Sequence, residues 1–144
     1  MDKTTLERRV LSSNEWGLIA ILHEGLMERF EEAAGAVEKN DFEELNKITN
    51  NGRDKLEELL INLRGKDELS TNLRSLYLFT NELITEGEIK KDSSCFKKAI
   101  NIINPLYSGF KALENKEKPN IVSGLVYGKN DVEDFQNSEK VFKG

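Results

Sequence analysis

Any catalytic chemistry in this chain would have to be built from one histidine, one cysteine and a few adjacent acid pairs. His23 is alone, which removes a two-histidine metal site and the paired Glu-x-x-His motifs of di-iron bundles. A partly buried imidazole is the reading that fits it better than a ligand. Cys95 falls in the first turn of a predicted helix, where the dipole could lower a thiol pKa. Its one candidate partner, His23, sits on another predicted helix, so a small core residue is the better reading. The segment GRDKLEELLINLRGKD holds a Gly-Lys pair, but the glycine spacing of a phosphate-binding loop is missing and no strand precedes it. The pairs Glu31 and Glu32, Glu43 and Glu44, and Glu57 and Glu58 are sequence neighbours, which do not face each other on a helix, so none of the three pairs can share one reacting centre. They read as solvated faces. No enzyme activity, metal or cofactor is expected.

The elements that carry these residues are helices. A short opening segment, Met1 to Leu11, leads to Ser12-Ser-Asn-Glu15, a capping-box pattern ahead of a helix over about 14–39. Its Ile19, Leu22, Leu26, Phe30, Ala33 and Val37 recur at the spacing of one helical face. Asp41 caps a second helix, about 41–64, with Glu44 three positions on and a stripe of Leu45, Ile48, Gly52, Leu56, Leu59, Leu60 and Leu63. Gly65 is expected to close it in the left-handed conformation.

Asp67 opens a third helix, about 67–91, whose predicted stripe is Leu69, Leu73, Leu76, Thr80, Leu83 and Ile84. KKDSS, Lys90 to Ser94, both ends that helix and caps a fourth, about 93–113, with Phe96, Ala99, Ile100, Ile103, Tyr107 and Phe110 inward. Pro105 is expected to interrupt and kink this last helix near Asn101 to Asn104. Short connections force antiparallel neighbours, so the expected fold is all-α: an antiparallel up-down four-helix bundle over 1–113 with a loosely packed C-terminal tail over 114–144. The tail has two readings, a disordered end or a weak amphipathic segment lying on the bundle through Ile121 to Phe142.

Composition agrees and narrows the function. Among 144 residues, 38% are hydrophobic and 33% charged, with only 2 prolines, a balance that suits solvent-faced helices. A net charge of -5 with Lys and Arg scattered among carboxylates offers no basic stripe to nucleic acid or to a membrane surface. Leu18 to Leu22 is the longest apolar run, too short to span a bilayer, and Glu7, Arg8 and Arg9 stand where a signal peptide would be apolar. With one cysteine and no intrachain disulfide, a cytoplasmic protein is expected.

What remains unexplained by self-packing is surplus apolar surface. The run WGLIAIL, Trp16 to Leu22, is apolar nearly all round, although one stripe would serve a bundle. Leu18 and Ile21 point away from the core stripe, as do Ile61 in helix two and Leu78 and Ile89 in helix three, while Ile102 sits at the margin of helix four. Such residues suggest a groove for an apolar helix of a partner.

Three stretches resemble the flagellar export chaperone family, FliS. LIAILHEGLMERFEEA, Leu18 to Ala33, is similar to that family's apolar-LYDG-apolar opening helix, with His23 and Glu24 in place of Tyr and Asp and Gly25 matching. EKNDFEELN, Glu38 to Asn46, resembles its acidic turn. In NLRSLYLFTNELITEGEIKKD, the residues Asn72, Leu73, Leu76, Tyr77, Leu83, Lys91 and Asp92 follow the family's order and spacing. The resemblance covers about Val10 to Leu113 and implies a cytoplasmic chaperone. Its partner would be the C-terminal segment of flagellin, disordered alone, which takes up short helices in grooves around the bundle; other flagellar export components are further partners. The candidate partner-binding residues are Trp16, Leu18, Ile21, His23, Tyr77, Leu78, Ile89 and Ile102. A regulatory or co-chaperone bundle that binds a different protein is the alternative.

Overall fold

The computed structural model describes residues 15–63 and 65–116. The opening segment with its Ser12 cap, and the tail beyond residue 116, lie outside the described residues. Those described form four helices, α1 (Glu15–Glu38), α2 (Phe42–Ile61), α3 (Glu68–Lys90) and α4 (Ser93–Lys116). They pack in cyclic order as an antiparallel four-helix bundle, α1 on α2, α2 on α3, α3 on α4 and α4 back on α1. The α1–α4 interface is the most extensive and α2–α3 the thinnest of the four.

Two of the three connections use one device. At the end of α1 Asn40 is left-handed (φ 57°), and the Asp41 amide reaches back to the Ala36 carbonyl at 2.9 Å. At the end of α3 Lys91 is left-handed (φ 53°), and the Asp92 amide reaches the Gly87 carbonyl at 3.0 Å. Each closure satisfies carbonyls that a helix end leaves without partners. The aspartate that follows then caps the next helix. Asp41 Oδ1 accepts from the Glu44 amide at 3.2 Å, and Asp92 Oδ1 accepts from the Ser94 amide at 2.9 Å. Helix direction is thus reversed within two or three residues.

The α2–α3 connection is longer and differs from expectation. α2 stops at Ile61, and Asn62 caps it in right-handed geometry, so Gly65 is not the helix cap. Instead the loop carbonyls of Leu63 and Gly65 each accept from Arg74 Nη2 at 3.3 Å. Asp67 then caps α3, accepting from the Ser70 amide at 3.3 Å.

The core is continuous from Leu26 and Phe30 of α1, through Leu45 and Leu56 of α2, to Tyr77 and Ile84 of α3 and Phe96 and Ile103 of α4. Full burial of side chains of this size is worth about 1.5–3 kcal/mol each. In α1 the inward row is Trp16, Ala20, His23, Leu26 and Phe30, while Ile19, Leu22 and Val37 pack on its margin. In α3 the inward row is Leu73, Tyr77, Thr80, Ile84 and Gly87. Leu76, expected inside, is exposed, because Tyr77 takes its place one residue later.

Pro105 does not interrupt α4, which runs unbroken to Lys116. The proline and Asn101, the residue whose carbonyl loses its helical donor, are both exposed, so water can serve that carbonyl.

Candidate functional site

Of the eight residues proposed from sequence to touch a partner, the structure places three in the interior. His23 is fully buried, and Tyr77 and Trp16 are nearly so. The Ile19 carbonyl can only accept, so the 2.8 Å contact makes His23 Nδ1 the protonated nitrogen. Nε2 is then the acceptor of the Tyr77 hydroxyl proton, also at 2.8 Å. Burial lowers the His23 pKa below its ordinary 6.5, with the bond to Ile19 opposing, and burial raises that of the Tyr77 hydroxyl. The imidazole packs 5.2 Å from the Phe110 ring, which stacks 6.0 Å from Trp16. These four rings tie α1, α3 and α4 together in the interior.

Cys95 is also interior. Burial, aided by Asp92 and Glu86, pushes its thiol pKa up, the opposite of what an activated nucleophile needs. Among the described residues no group of His, Cys, Asp and Glu is placed to hold a metal ion. No helix among them is long and apolar enough to cross a membrane.

The remaining five candidates lie at or near the surface but on different faces. Leu18 is exposed and Ile21 half-buried on α1, which stands diagonally across the bundle from α3. Leu78 and Ile89 (72% exposed) share one outer line of α3, eleven residues apart, or about 16 Å at the helical rise. Ile102, half-buried, belongs to the seam between α3 and α4.

That seam carries apolar side chains from both helices. Its geometry follows from one close approach: a Cβ placed on Gly87 would lie 2.9 Å from the Phe96 ring and 3.0 Å from Cys95 Cβ. The helices touch there and run antiparallel. From Gly87 the row Leu83, Phe79 continues at four-residue steps along α3, with Leu76 beside it. From Cys95 the row Ile102, Leu106, Leu113 continues along α4 at steps of seven and four. Leu83 is buried, but Phe79 is 50% exposed and Leu76 36%, opposite the half-buried Ile102 and Leu106. The seam therefore opens as it leaves Gly87, into an apolar trough walled by two helices.

Sequence reading missed Phe79 and misplaced Leu76. The signal was present in the run Leu76-Tyr77-Leu78-Phe79, of which only one member can face the core centre. With Tyr77 inward beside His23, Leu76 and Phe79 must flank the α4 side and Leu78 the α2 side.

Between α2 and α3 a polar cluster stands beside the apolar core. Glu88 accepts from Thr49 Oγ1 at 2.6 Å, Arg53 Nη2 at 2.7 Å and Asn46 Nδ2 at 3.0 Å. Burial alone would raise this carboxyl's pKa, but the bonds from Thr49, Arg53 and Asn46 and the charge of Arg53 outweigh it and hold it below the usual value. This clamp braces the thinnest of the four helix interfaces.

Comparison with known proteins adds one match. The family model described as flagellar protein FliS matches residues 1–117, which include all four helices. No curated protein matches the chain.

Proposed function

The chain belongs to the FliS family of flagellar proteins and is thereby a flagellar export chaperone, and we propose that its cargo is flagellin, held by the C-terminal segment. The observation that carries this reading is the trough between α3 and α4, whose Leu76, Phe79, Ile102 and Leu106 offer an apolar helix a matching surface. Leu78 and Ile89 extend apolar contact around the outside of α3, and Leu18 and Ile21 present it on the far side of the bundle. A short rigid helix cannot reach all three faces. A long segment without fixed structure of its own can wrap them, giving up part of the contact energy to its own ordering and so staying releasable. Covering the apolar face of unsecreted flagellin would prevent premature polymerisation in the cytoplasm, where this reading places the protein.

Calorimetric titration of the full chain with a peptide of the flagellin C-terminal segment tests it. Binding should occur and should weaken at least tenfold in Phe79→Asp. A peptide that gives no heat and no saturable signal removes flagellin as the cargo and leaves a different flagellar protein in its place.

A further inference from the structure

We propose that Gly109 is a specificity-determining position of the trough: it leaves a notch in the α4 wall, between Leu106 and Leu113, that takes one bulky apolar side chain of the cargo helix. The inference rests on the reading of the trough as the cargo site.

A glycine inside a helix lowers stability relative to alanine, so its presence calls for a close approach or an unusual backbone. Gly25 and Gly87 have such an approach within the bundle. A Cβ on the first would lie 3.3 Å from Lys55 Cε, and on the second 2.9 Å from the Phe96 ring. Gly109 has none. It is exposed within regular α4, and among the described residues nothing lies within 4 Å of where its Cβ would be. The Cβ position of Gly35 in α1 is equally open, but the residues one turn either side of it, Glu31 and Lys39, are exposed and charged.

Position gives Gly109 what Gly35 lacks. It lies seven residues beyond Ile102, three beyond Leu106 and four before Leu113, so it falls in the apolar row of the α4 wall. Fourteen residues from Cys95, it stands about 21 Å along the axis from the close contact at Gly87. The α3 residue at that level, fourteen before Gly87, is Leu73, which is buried, with exposed Asn72 beside it. Neither wall therefore puts a described side chain over Gly109. Leu106 and Leu113, both half-buried, form the sides of the gap. A hole bounded by side chains one turn apart is how a helix accepts a knob from a partner helix. The knob must be apolar, since the two leucines offer no partner to a buried polar group.

Thermal melts of the full chain and calorimetric titration with the flagellin C-terminal peptide test this together. Gly109→Ala should raise the melting temperature by about 2–5 °C, because the added methyl meets nothing in the bundle. Gly109→Leu should keep the helical spectrum and weaken binding at least tenfold, because its side chain fills the notch. Gly35→Ala should show the same thermal gain with unchanged affinity. Among peptides with one apolar residue at a time cut to Ala, one should lose affinity for the natural chain and lose little further for Gly109→Leu, which identifies the knob. Equal or tighter binding by Gly109→Leu, or additive losses at every peptide position, overturns the proposal while leaving flagellin as the cargo. A melting temperature lowered by Gly109→Ala also overturns it, because the bundle itself then uses the gap. A natural chain that binds no such peptide removes the cargo reading and this inference with it.

Discussion

His23 Nε2 accepts the Tyr77 hydroxyl proton at 2.8 Å, joining α1 to α3 across the diagonal of the bundle. The four side-by-side helix interfaces leave α1 and α3 as a diagonal pair. Replacing Tyr77 by Phe keeps the ring and removes the donor, leaving a buried acceptor unpaired. The expected cost is about 1–3 kcal/mol, read as a lower urea midpoint with unchanged helicity.

The same pair sets a pH dependence. The folded chain holds His23 below its ordinary 6.5, because burial disfavours the cation. The unfolded chain therefore takes up the proton first as pH falls. The contribution of neutral His23 is complete above 6.5 and is lost as pH drops through the depressed folded value. One proton limits the slope to about 1.4 kcal/mol per pH unit. Urea midpoints between pH 7.5 and 5.5 should decline in the natural chain and decline less in His23→Gln.

Two buried glycines should respond in opposite senses to alanine. A Cβ on Gly52 would meet its nearest neighbour, the Phe30 ring, at 3.8 Å, an ordinary contact. Gly52→Ala should therefore gain most of the helix-propensity difference, about 0.5–1 kcal/mol. At Gly87 the 2.9 Å approach to Phe96 forces the helices apart, and overpacking of this kind costs about 1–3 kcal/mol. Thermal melts of the two variants should bracket the natural chain.

Glu88 is the one acceptor that Asn46, Thr49 and Arg53 share. Glu88→Ala removes that shared acceptor, leaving Thr49 its bond to the Asn46 carbonyl and Arg53 its bond to Asn50, and should cost about 0.5–1.5 kcal/mol. The carboxyl's pKa lies below 4.5 in the fold, so its contribution is full above that pH and disappears as acid takes the solution through the lowered value. Acid unfolding of Glu88→Gln, which cannot titrate, should show a shallower decline.

The trough and the core can be told apart by charge insertion. Phe79→Asp should leave the melting temperature nearly unchanged and weaken cargo binding tenfold or more, about 1.4 kcal/mol. Leu83→Asp, one turn along the same row but buried, should unfold the bundle. Equal thermal stability of the two variants would place Phe79 and Leu83 in the same environment and remove the trough.

Legibility in the sequence followed the range of the interactions. The caps at Asp41 and Asp67 and the turn at Lys90 to Ser94 are local, built from residues two or three apart, and were readable as such. The stripe of α2 was readable because it is leucine-rich on one side only. The phase of α3 was not, since Leu76, Tyr77, Leu78 and Phe79 are all apolar and the choice among them is made by His23, fifty-four positions away. Gly65 failed as a helix cap for a related reason: Arg74 takes the loop carbonyls from a different helix. Surplus apolar surface was apparent in WGLIAIL, but Trp16 is consumed by stacking on Phe110, an arrangement set only when the two ends of the bundle meet.

The broadest interface joins the first helix to the last. During synthesis α1 emerges with its greasy side bare, and α2 and α3 can shield only part of it. Closure waits until residues near Phe110 have cleared the ribosome, when Trp16 and His23 finally gain their partner ring. A product lacking α4 leaves the widest face of α1 uncovered and Trp16 and His23 without the Phe110 ring, so the core cannot be completed in parts.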